Sequence, residues 1–450
     1  MDDGDEDEDG AMKLRIEKAV YGGSGLARQT EGKDAGRTVF VPFALPGELV
    51  DARLTGVKDG FAEAALVQVL EASADRVTAG CAHFGLCGGC QYQHAEYAAQ
   101  IAMKTSILRE TLERAGLTEL PEVQVHSGAA WGYRNRVRLR VSVVDGAGLR
   151  GTLCVGYSRR GTNEFLPVRE CPIAAGVLWR AAEALVQIGA EDSVAGRWVR
   201  EVDEVEFFST GDEKKLQATL FVRKERVGGF DEFCERLRVA VPELVGAGVA
   251  LISGEASRRV QKVRSLQSWG ADGLSYRVGE QEYWVGRGGF FQVNRFLVDE
   301  LVRVVTAGRS GAMAWDLYAG VGLFSRALVR SFKEVVAVEA AGEDLVGSFK
   351  GAGRRGVSAT TVEFLRGAVV QRERPELVVM DPPRAGVGAE VCDLLARVRA
   401  KEMIYVSCDP VTLARDLKRM VAAGYRMVEV HLVDLFPQTF HLETVVVLRR

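Results

Sequence analysis

The sequence predicts an α/β chain whose C-terminal part is a doubly wound sheet, preceded by a small β-barrel and a mixed α/β segment. Three observations carry this. From residue 286 onward, short apolar runs alternate with helical patterns, the mark of a parallel sheet covered by helices. Three of those runs end in polar turns. Ala314-Trp315-Asp316-Leu317-Tyr318 enters Ala319-Gly320-Val321-Gly322, Leu377-Val378-Val379-Met380 enters Asp381-Pro382-Pro383-Arg384, and Met403-Ile404-Tyr405-Val406 enters Ser407-Cys408-Asp409-Pro410. Residues 12–72, by contrast, hold short strands punctuated by Gly and Pro, as in a small barrel. Ligands of open α/β sheets sit outside the carboxyl ends of the strands. A Gly-rich turn, an acid-Pro-Pro turn and the Cys408 thiol therefore converge on the mouth of one site.

Composition bounds the rest. A chain of 450 residues holds two or three domains, and 47% apolar content supports real cores. No apolar run approaches the length of a membrane span. Seven acids fall between Met1 and Gly10 with no apolar stretch among them. This excludes a signal peptide and predicts an acidic disordered tail over 1–11. The net charge of −3 turns positive once those acids are set aside, which permits RNA binding without requiring it. Eight cysteines in a chain expected to be a cytoplasmic monomer point to metal binding or catalysis rather than disulfides.

In order, 12–72 reads as the barrel. Its strands are Leu14–Val20, Val39–Phe43, Leu49–Leu54 and Ala64–Leu70, with a turn at Tyr21–Ala27. The stretch resembles the TRAM domain, an RNA-binding module. Residues 73–285 form the expected central domain. It opens with Cys81, Cys87 and Cys90, spaced C-x5-C-x2-C, with glycines between them that let thiolates turn toward one centre. A fourth ligand is needed; Cys171, followed by Pro172, is the first candidate and Cys154 the competitor. Zinc, with His83 as a further donor, satisfies the same spacing. Cys234 and Cys392 lie in helical patterns and read as core.

A helix is expected over Tyr97–Ala115. After it, Arg134, Arg136, Arg138 and Arg140 share one face of a strand, with Val137, Leu139 and Val141 on the other. Such a stripe spans about 20 Å and suits the phosphates of an RNA strand.

The last domain, 286–450, has strand candidates at 313–318, 334–339, 359–364, 376–381, 403–407, 425–434 and 443–449. The loop before the last is too short for a helix, so that strand is expected to run antiparallel. Seven strands with a reversed last one fit the class I methyltransferase form of the Rossmann fold. The Gly-rich turn leaves a strand, and Glu339 ends the next, about twenty residues on, placed for ribose hydroxyls. NAD and S-adenosylmethionine (SAM) both suit that pattern; the Asp381-Pro382-Pro383 turn decides for SAM.

Phe291-Gln292-Val293-Asn294, the Asp316–Gly322 turn, Asp381-Pro382-Pro383-Arg384, Ser407-Cys408-Asp409-Pro410 and His441-Leu442-Glu443 together resemble the RNA uracil-C5 methyltransferases, over nearly the whole chain. The TRAM-like barrel and four cysteines resemble the members that carry a 4Fe-4S cluster and act on 23S rRNA; others act on tRNA. The resemblance implies that Gln292, Tyr318, Gly320, Glu339 and Asp381 bind SAM. It implies that Cys408 is the nucleophile, that Glu443 is the base, and that Cys81, Cys87, Cys90 and Cys171 hold the cluster. Two departures stand out. Asp409 replaces the commoner Asn, and no acid follows Arg366-Gly367, expected at the end of the third strand.

The residue types suit this chemistry independently. Uracil C5 is a poor nucleophile until a thiolate adds at C6, and a base must then take the C5 proton so that the thiolate can leave. The target base must be unstacked to reach the site, where Phe290, Phe291 and Phe440 are candidates to stack on it. An RNA cytosine-C5 methyltransferase needs a Cys nucleophile too, and a non-catalytic RNA-binding iron-sulfur protein needs no SAM. The Ser-Cys-Asp-Pro context with the distal His-x-Glu favours uracil.

Overall fold

A computed structural model describes residues 11–30, 34–145, 151–253, 262–341 and 343–450. All but the last residue of the expected acidic tail lies outside them. The chain forms two compact units. One holds the described residues up to Thr111 together with Phe436–His441; the other holds Leu112–Leu435 and Leu442–Arg450.

In the first unit, β1 (Ala11–Val20), β2 (Ser24–Arg28), β3 (Thr38–Pro42), β4 (Leu49–Lys58) and β5 (Phe61–Glu71) close into a barrel. The period-2 pattern does the work: Leu14, Ile16, Val39, Val41, Val50, Ala52 and Ala62 all point inward and are buried. Each large one contributes roughly 1.5–3 kcal/mol by leaving water. Gly25 is small because a Cβ there would fall 2.7 Å from Ile16 Cγ2. Helix α1 (Tyr97–Arg114) follows.

The second unit opens with β6 (Val123–His126), β7 (Arg136–Val144), β8 (Thr152–Ser158) and β9 (Phe165–Pro167). There follow α2 (Gly176–Gly189), α3 (Val194–Val199), β10 (Glu204–Ser209), β11 (Leu216–Val222), α4 (Phe230–Ala240), β12 (Leu244–Ser253) and β13 (Lys262–Gly270). Among the described residues the strands from β7 to β13 make one sheet in the order β13-β12-β11-β10-β7-β8-β9. Its inner face, with Val137, Leu139 and Val141, packs with the apolar sides of α2, α3 and α4, where Cys234 is fully buried.

Three of the four arginines of the stripe lie on one face of β7, and each has partners nearby. The Arg136 guanidinium lies 4.2 Å from the centre of the Phe208 ring and 3.6 Å from Glu206. Arg138 lies 4.0 Å over Phe221 and pairs with Glu204. Arg140 lies 5.4 Å over Phe165 and donates to the Asn163 carbonyl at 2.7 Å. Arg134 is not on the strand at all. The neighbouring strand β10 answers two of these charges, because cross-strand partners on one face pair by type. Sequence alternation alone does not reveal which strand lies alongside.

A hairpin, β14 (Gly273–Val278) and β15 (Gln281–Gly286), leads to the last sheet. Its elements are α5 (Val298–Thr306), β16 (Gly311–Leu317), α6 (Ser325–Leu328), β17 (Phe332–Glu339), α7 (Glu343–Ser348), β18 (Lys350–Gly351), β19 (Arg354–Ser358), α8 (Thr361–Gln371) and β20 (Leu377–Met380). After these come α9 (Gly388–Val398), β21 (Glu402–Ser407), α10 (Pro410–Ala422), β22 (Arg426–Val433) and β23 (Thr444–Arg449). Among the described residues the strand order is β18-β19-β17-β16-β20-β21-β23-β22-β6. Strands β17, β16, β20 and β21 run parallel. They are buried as continuous apolar runs, as strands covered on both faces must be. Strand β23 runs antiparallel between β21 and β22, the reversed last strand the sequence predicts.

Two details differ from expectation. The third strand is β19, and the predicted strand 359–364 is the start of α8. Thr360 caps that helix and Glu363 reciprocates, so β-branched Thr-Thr-Val serves a capping box, not a strand. Strand β6 adds to the edge of the sheet, parallel to β22. Its four residues are too few to register as a strand by alternation.

Candidate active site

Three parallel strand ends build the site. At the end of β16, Asp316 is fully buried. Its Oδ2 accepts from the Ser325 amide at 2.8 Å and from the Ser325 hydroxyl; its Oδ1 has no hydrogen-bond partner among the described residues. The chain then turns sharply. Tyr318 takes φ +64°, and Gly320 and Gly322 take +55° and +81°. For a tyrosine that conformation is strained and persists only where its surroundings hold it. Here its hydroxyl is bonded to Thr361, a partner the sequence did not flag. The Gly320 amide donates to Glu339 Oε2 at 2.9 Å, so the acid expected to face a ribose is tied to the Gly-rich turn.

At the end of β20, Asp381 receives Gln292 Nε2 at 3.5 Å. Gln292 is itself held by Asn135, whose Nδ2 donates to the Gln292 carbonyl at 2.9 Å. Asn135 is completely buried and also donates to the Tyr276 hydroxyl at 3.1 Å. Sequence reasoning missed Asn135, since it lay hidden among the arginines. Phe291 is buried, its ring 4.5 Å from that of Tyr276, and so belongs to the core. Phe290 is 70% exposed and free of that constraint.

At the end of β21 stands Cys408, half-buried. Ser407 pairs with Thr444 across β21 and β23. Cys408 and Glu443 therefore leave two paired strands at the same end, although 35 residues separate them in sequence. Glu443 is 3% exposed. Burial first, and the Asp381 carboxylate second, push its pKa well above the ordinary range. Asp381 is pushed up to about 7 by burial and by Asp316. Burial, then Glu443 and Asp381, push the Cys408 thiol up to about 11, while the charge and hydrogen bond of Arg384 pull it down. This cluster of acids beside a thiol is thus built to be relieved by positive charge.

Asp409 caps α10: its Oδ1 accepts from Val411 N at 3.1 Å and Thr412 N at 2.9 Å, with Pro410 in the first turn. Asp and Asn serve about equally as N-caps, which accounts for the exchange. The cap leaves Cys408 next to a helix N-terminus, whose positive end favours a thiolate. Asp409→Asn is expected to change turnover by no more than about twofold and thermal stability by a few tenths of a kcal/mol. Steady-state kinetics and a melting curve check this. The acid missing after Arg366-Gly367 also has an explanation: those residues lie inside α8, not at a strand end.

The N-terminal cysteines lie in a turn-rich loop. The Cys87 amide donates to the His83 carbonyl at 2.9 Å, and the Gly89 amide to Cys87 Sγ at 3.4 Å. Burial, and then the nearby charge of Cys81, push the Cys87 thiol up. Cys171 belongs to the other unit, where its sulfur receives the Tyr157 hydroxyl at 3.7 Å. Cys154 sits opposite Ser142 on β7. Among the described residues no group of three or more His, Cys, Asp or Glu side chains is arranged to hold a metal. No described helix is long and apolar enough to cross a membrane.

Comparison with known proteins identifies the family. The tRNA (Uracil-5-)-methyltransferase family model matches residues 358–450, and the TRAM domain model matches 12–67. A 23S rRNA (uracil(1939)-C(5))-methyltransferase RlmD of Chromohalobacter salexigens is 33% identical over 97% of this chain and 89% of its own. The chain belongs to the RNA uracil-C5 methyltransferases. An uncharacterized RNA methyltransferase of Aquifex aeolicus is 32% identical over 98% of this methyltransferase and 99% of its own length. Among solved structures, the Pyrococcus abyssi tRNA (uracil-54, C5)-methyltransferase in complex with S-adenosyl-L-homocysteine superposes with a TM-score of 0.73. It is 22% identical, covering 97% of this chain and all of the other. That likeness is one of fold.

Proposed function

We propose that this methyltransferase forms 5-methyluridine in 23S rRNA, with Cys408 as nucleophile and Glu443 as base. The observation that carries the reading is the pairing of β21 with β23, which brings a thiol and a buried carboxylate to one strand end. SAM, bound along the Gly-rich turn by Gln292, Tyr318, Gly320, Glu339 and Asp381, supplies an electrophilic methyl group. The Cys408 thiolate adds to C6 of the uracil, and the electron pair of the C5–C6 double bond moves toward C5 and the O4 carbonyl. C5 then forms its bond to the methyl carbon, while the methyl–sulfur pair stays on sulfur. Glu443 takes the C5 proton, the C5–C6 double bond re-forms, and the thiolate leaves. A carboxylate whose pKa is raised by burial is a stronger base for that step.

The test is to incubate the enzyme with labelled SAM and either 23S rRNA or tRNA, digest each RNA to nucleosides and identify the labelled one. Labelled 5-methyluridine is expected. Labelled 5-methylcytidine, or label in tRNA alone, overturns the reading.

The finer assignment of Cys81, Cys87, Cys90 and Cys171 to a 4Fe-4S cluster rests on the C-x5-C-x2-C spacing, on the Cys-Pro at 171–172 and on an all-thiolate donor set, which suits iron-sulfur ligation. Protein purified without oxygen is expected to be brown and to contain iron and acid-labile sulfide in equal amounts. Stoichiometric zinc without sulfide rules the cluster out.

A further inference from the structure

The six residues Phe436–His441 belong to the N-terminal unit, and side chains from α1 hold them there. Gln100 and Lys104 are four residues apart and so share one face of that helix. Gln100 is 1% exposed and Lys104 fully buried. Gln100 pairs with Gln438 twice. Its Oε1 accepts from the Gln438 amide at 2.9 Å, and its Nε2 donates to Gln438 Oε1 at 3.0 Å. Lys104 Nζ donates to the Phe436 carbonyl at 2.9 Å. The Gln438 carbonyl accepts from the backbone amides of Gln91 and Tyr92, both at 3.0 Å.

This is more machinery than a surface connection needs. Gln438 has φ +67°, a left-handed conformation that a glutamine keeps only when its surroundings over-determine it. A buried ammonium is costly unless it is well satisfied. Most loops between strands lie on the surface and vary freely; this one is fixed at the Phe436 and Gln438 carbonyls and at the strained Gln438 itself. It ends at His441, and Leu442 and Glu443 follow directly.

We propose that Gln100 and Lys104 are positioning residues for the proton-abstraction step: they fix the backbone from which Glu443 projects. The proposal rests on the reading of Glu443 as base. A carboxylate a fraction of an ångström out of place still leaves thiol addition and methyl transfer intact, because neither uses it. It slows only the final elimination.

The experiment uses the full chain carrying Gln100→Ala, Lys104→Met or Gln438→Gly, with Glu443→Gln in parallel. Gln438→Gly removes the side-chain bond from Gln100 and keeps the backbone one, while accepting the left-handed backbone at no steric cost, so it is expected to fold even where the first two do not. Rapid quenching separates formation of the protein–RNA adduct, methyl incorporation and release of free RNA. Adduct formation and methyl incorporation are expected within about twofold of the parent, with release slowed roughly 10–100-fold and a methylated covalent complex accumulating. A purely structural role slows all three steps together, and that result overturns the proposal. A stall in Glu443→Gln with normal release in the other three overturns the proposal alone. Normal turnover by Glu443→Gln removes the base assignment and the proposal with it.

Discussion

Replacing Cys408 by alanine abolishes both the covalent adduct and the product, while SAM binding persists. The loss is expected to reach roughly four orders of magnitude or more, as for removal of other catalytic nucleophiles. Without addition at C6, C5 carries too little electron density to attack a methyl group. The same thiol predicts the pH dependence. Burial, Glu443 and Asp381 push it up to about 11, so over the neutral range it is mostly protonated. Below that value the thiolate fraction, and with it the rate of adduct formation, rises about tenfold per pH unit. Bound positive charge narrows the window from above by lowering the pKa. The readout is a slow-migrating band on a denaturing gel with RNA containing 5-fluorouridine, whose fluorine cannot leave as a cation. Cys408→Ala protein that still methylates uridine refutes the nucleophile.

Glu443→Gln stalls one step later. The amide keeps the size and hydrogen-bonding reach of the carboxylate but does not take a proton. Addition and methyl transfer proceed; elimination loses its general base, worth roughly 10²–10⁴-fold. A methylated RNA should therefore remain joined to Cys408, and a peptide mass should locate the bond there. The substitution also removes a buried ionisable group from beside Asp381, so the Cys408 thiol should become easier to ionise. Adduct formation should then be no slower than in the parent. This opposite sign on the two steps separates a missing base from a damaged fold. A Glu443→Gln enzyme that turns over normally leaves Cys408 standing and removes Glu443 from its role.

The Cys408 assignment begins as a strand end read from the chain. The Gly-rich turn, the acid-Pro-Pro turn and the Ser-Cys-Asp-Pro turn were legible because each interrupts a run of apolar residues, and runs and interruptions are local. Glu443 was not legible this way. On its own it reads as a charged residue at a strand edge, and only resemblance singled it out. The structure adds the physical reason: strand β23 inserts between β21 and β22 and carries Glu443 to the thiol.

The misread strand and the unseen partners of the arginines have the same origin. Thr360 and Thr361 read as strand because β-branched residues favour strands, yet a Glu three residues after Thr360 offers a cap that the helix uses. In the arginine stripe, alternation reveals a face and not the neighbour across it. Glu204 and Glu206 lie more than sixty residues away in sequence and sit beside Arg138 and Arg136 in the sheet.

By itself, then, the sequence determined the order of barrel, central segment and doubly wound sheet, the three polar strand ends and the thiol among them. All of these follow from periodicity and turn chemistry within some ten residues. Only the tertiary structure decided which groups act on one another. It put Asp381 and Glu443 beside Cys408, tied Glu339 to the Gly320 amide, gave Gln292 to Asn135 and clamped Gln438 with Gln100. Each of these depends on strand order and on burial. Hydrogen bonds and charge interactions fall off within a few ångströms, and chain separation says nothing about which distances the fold will close.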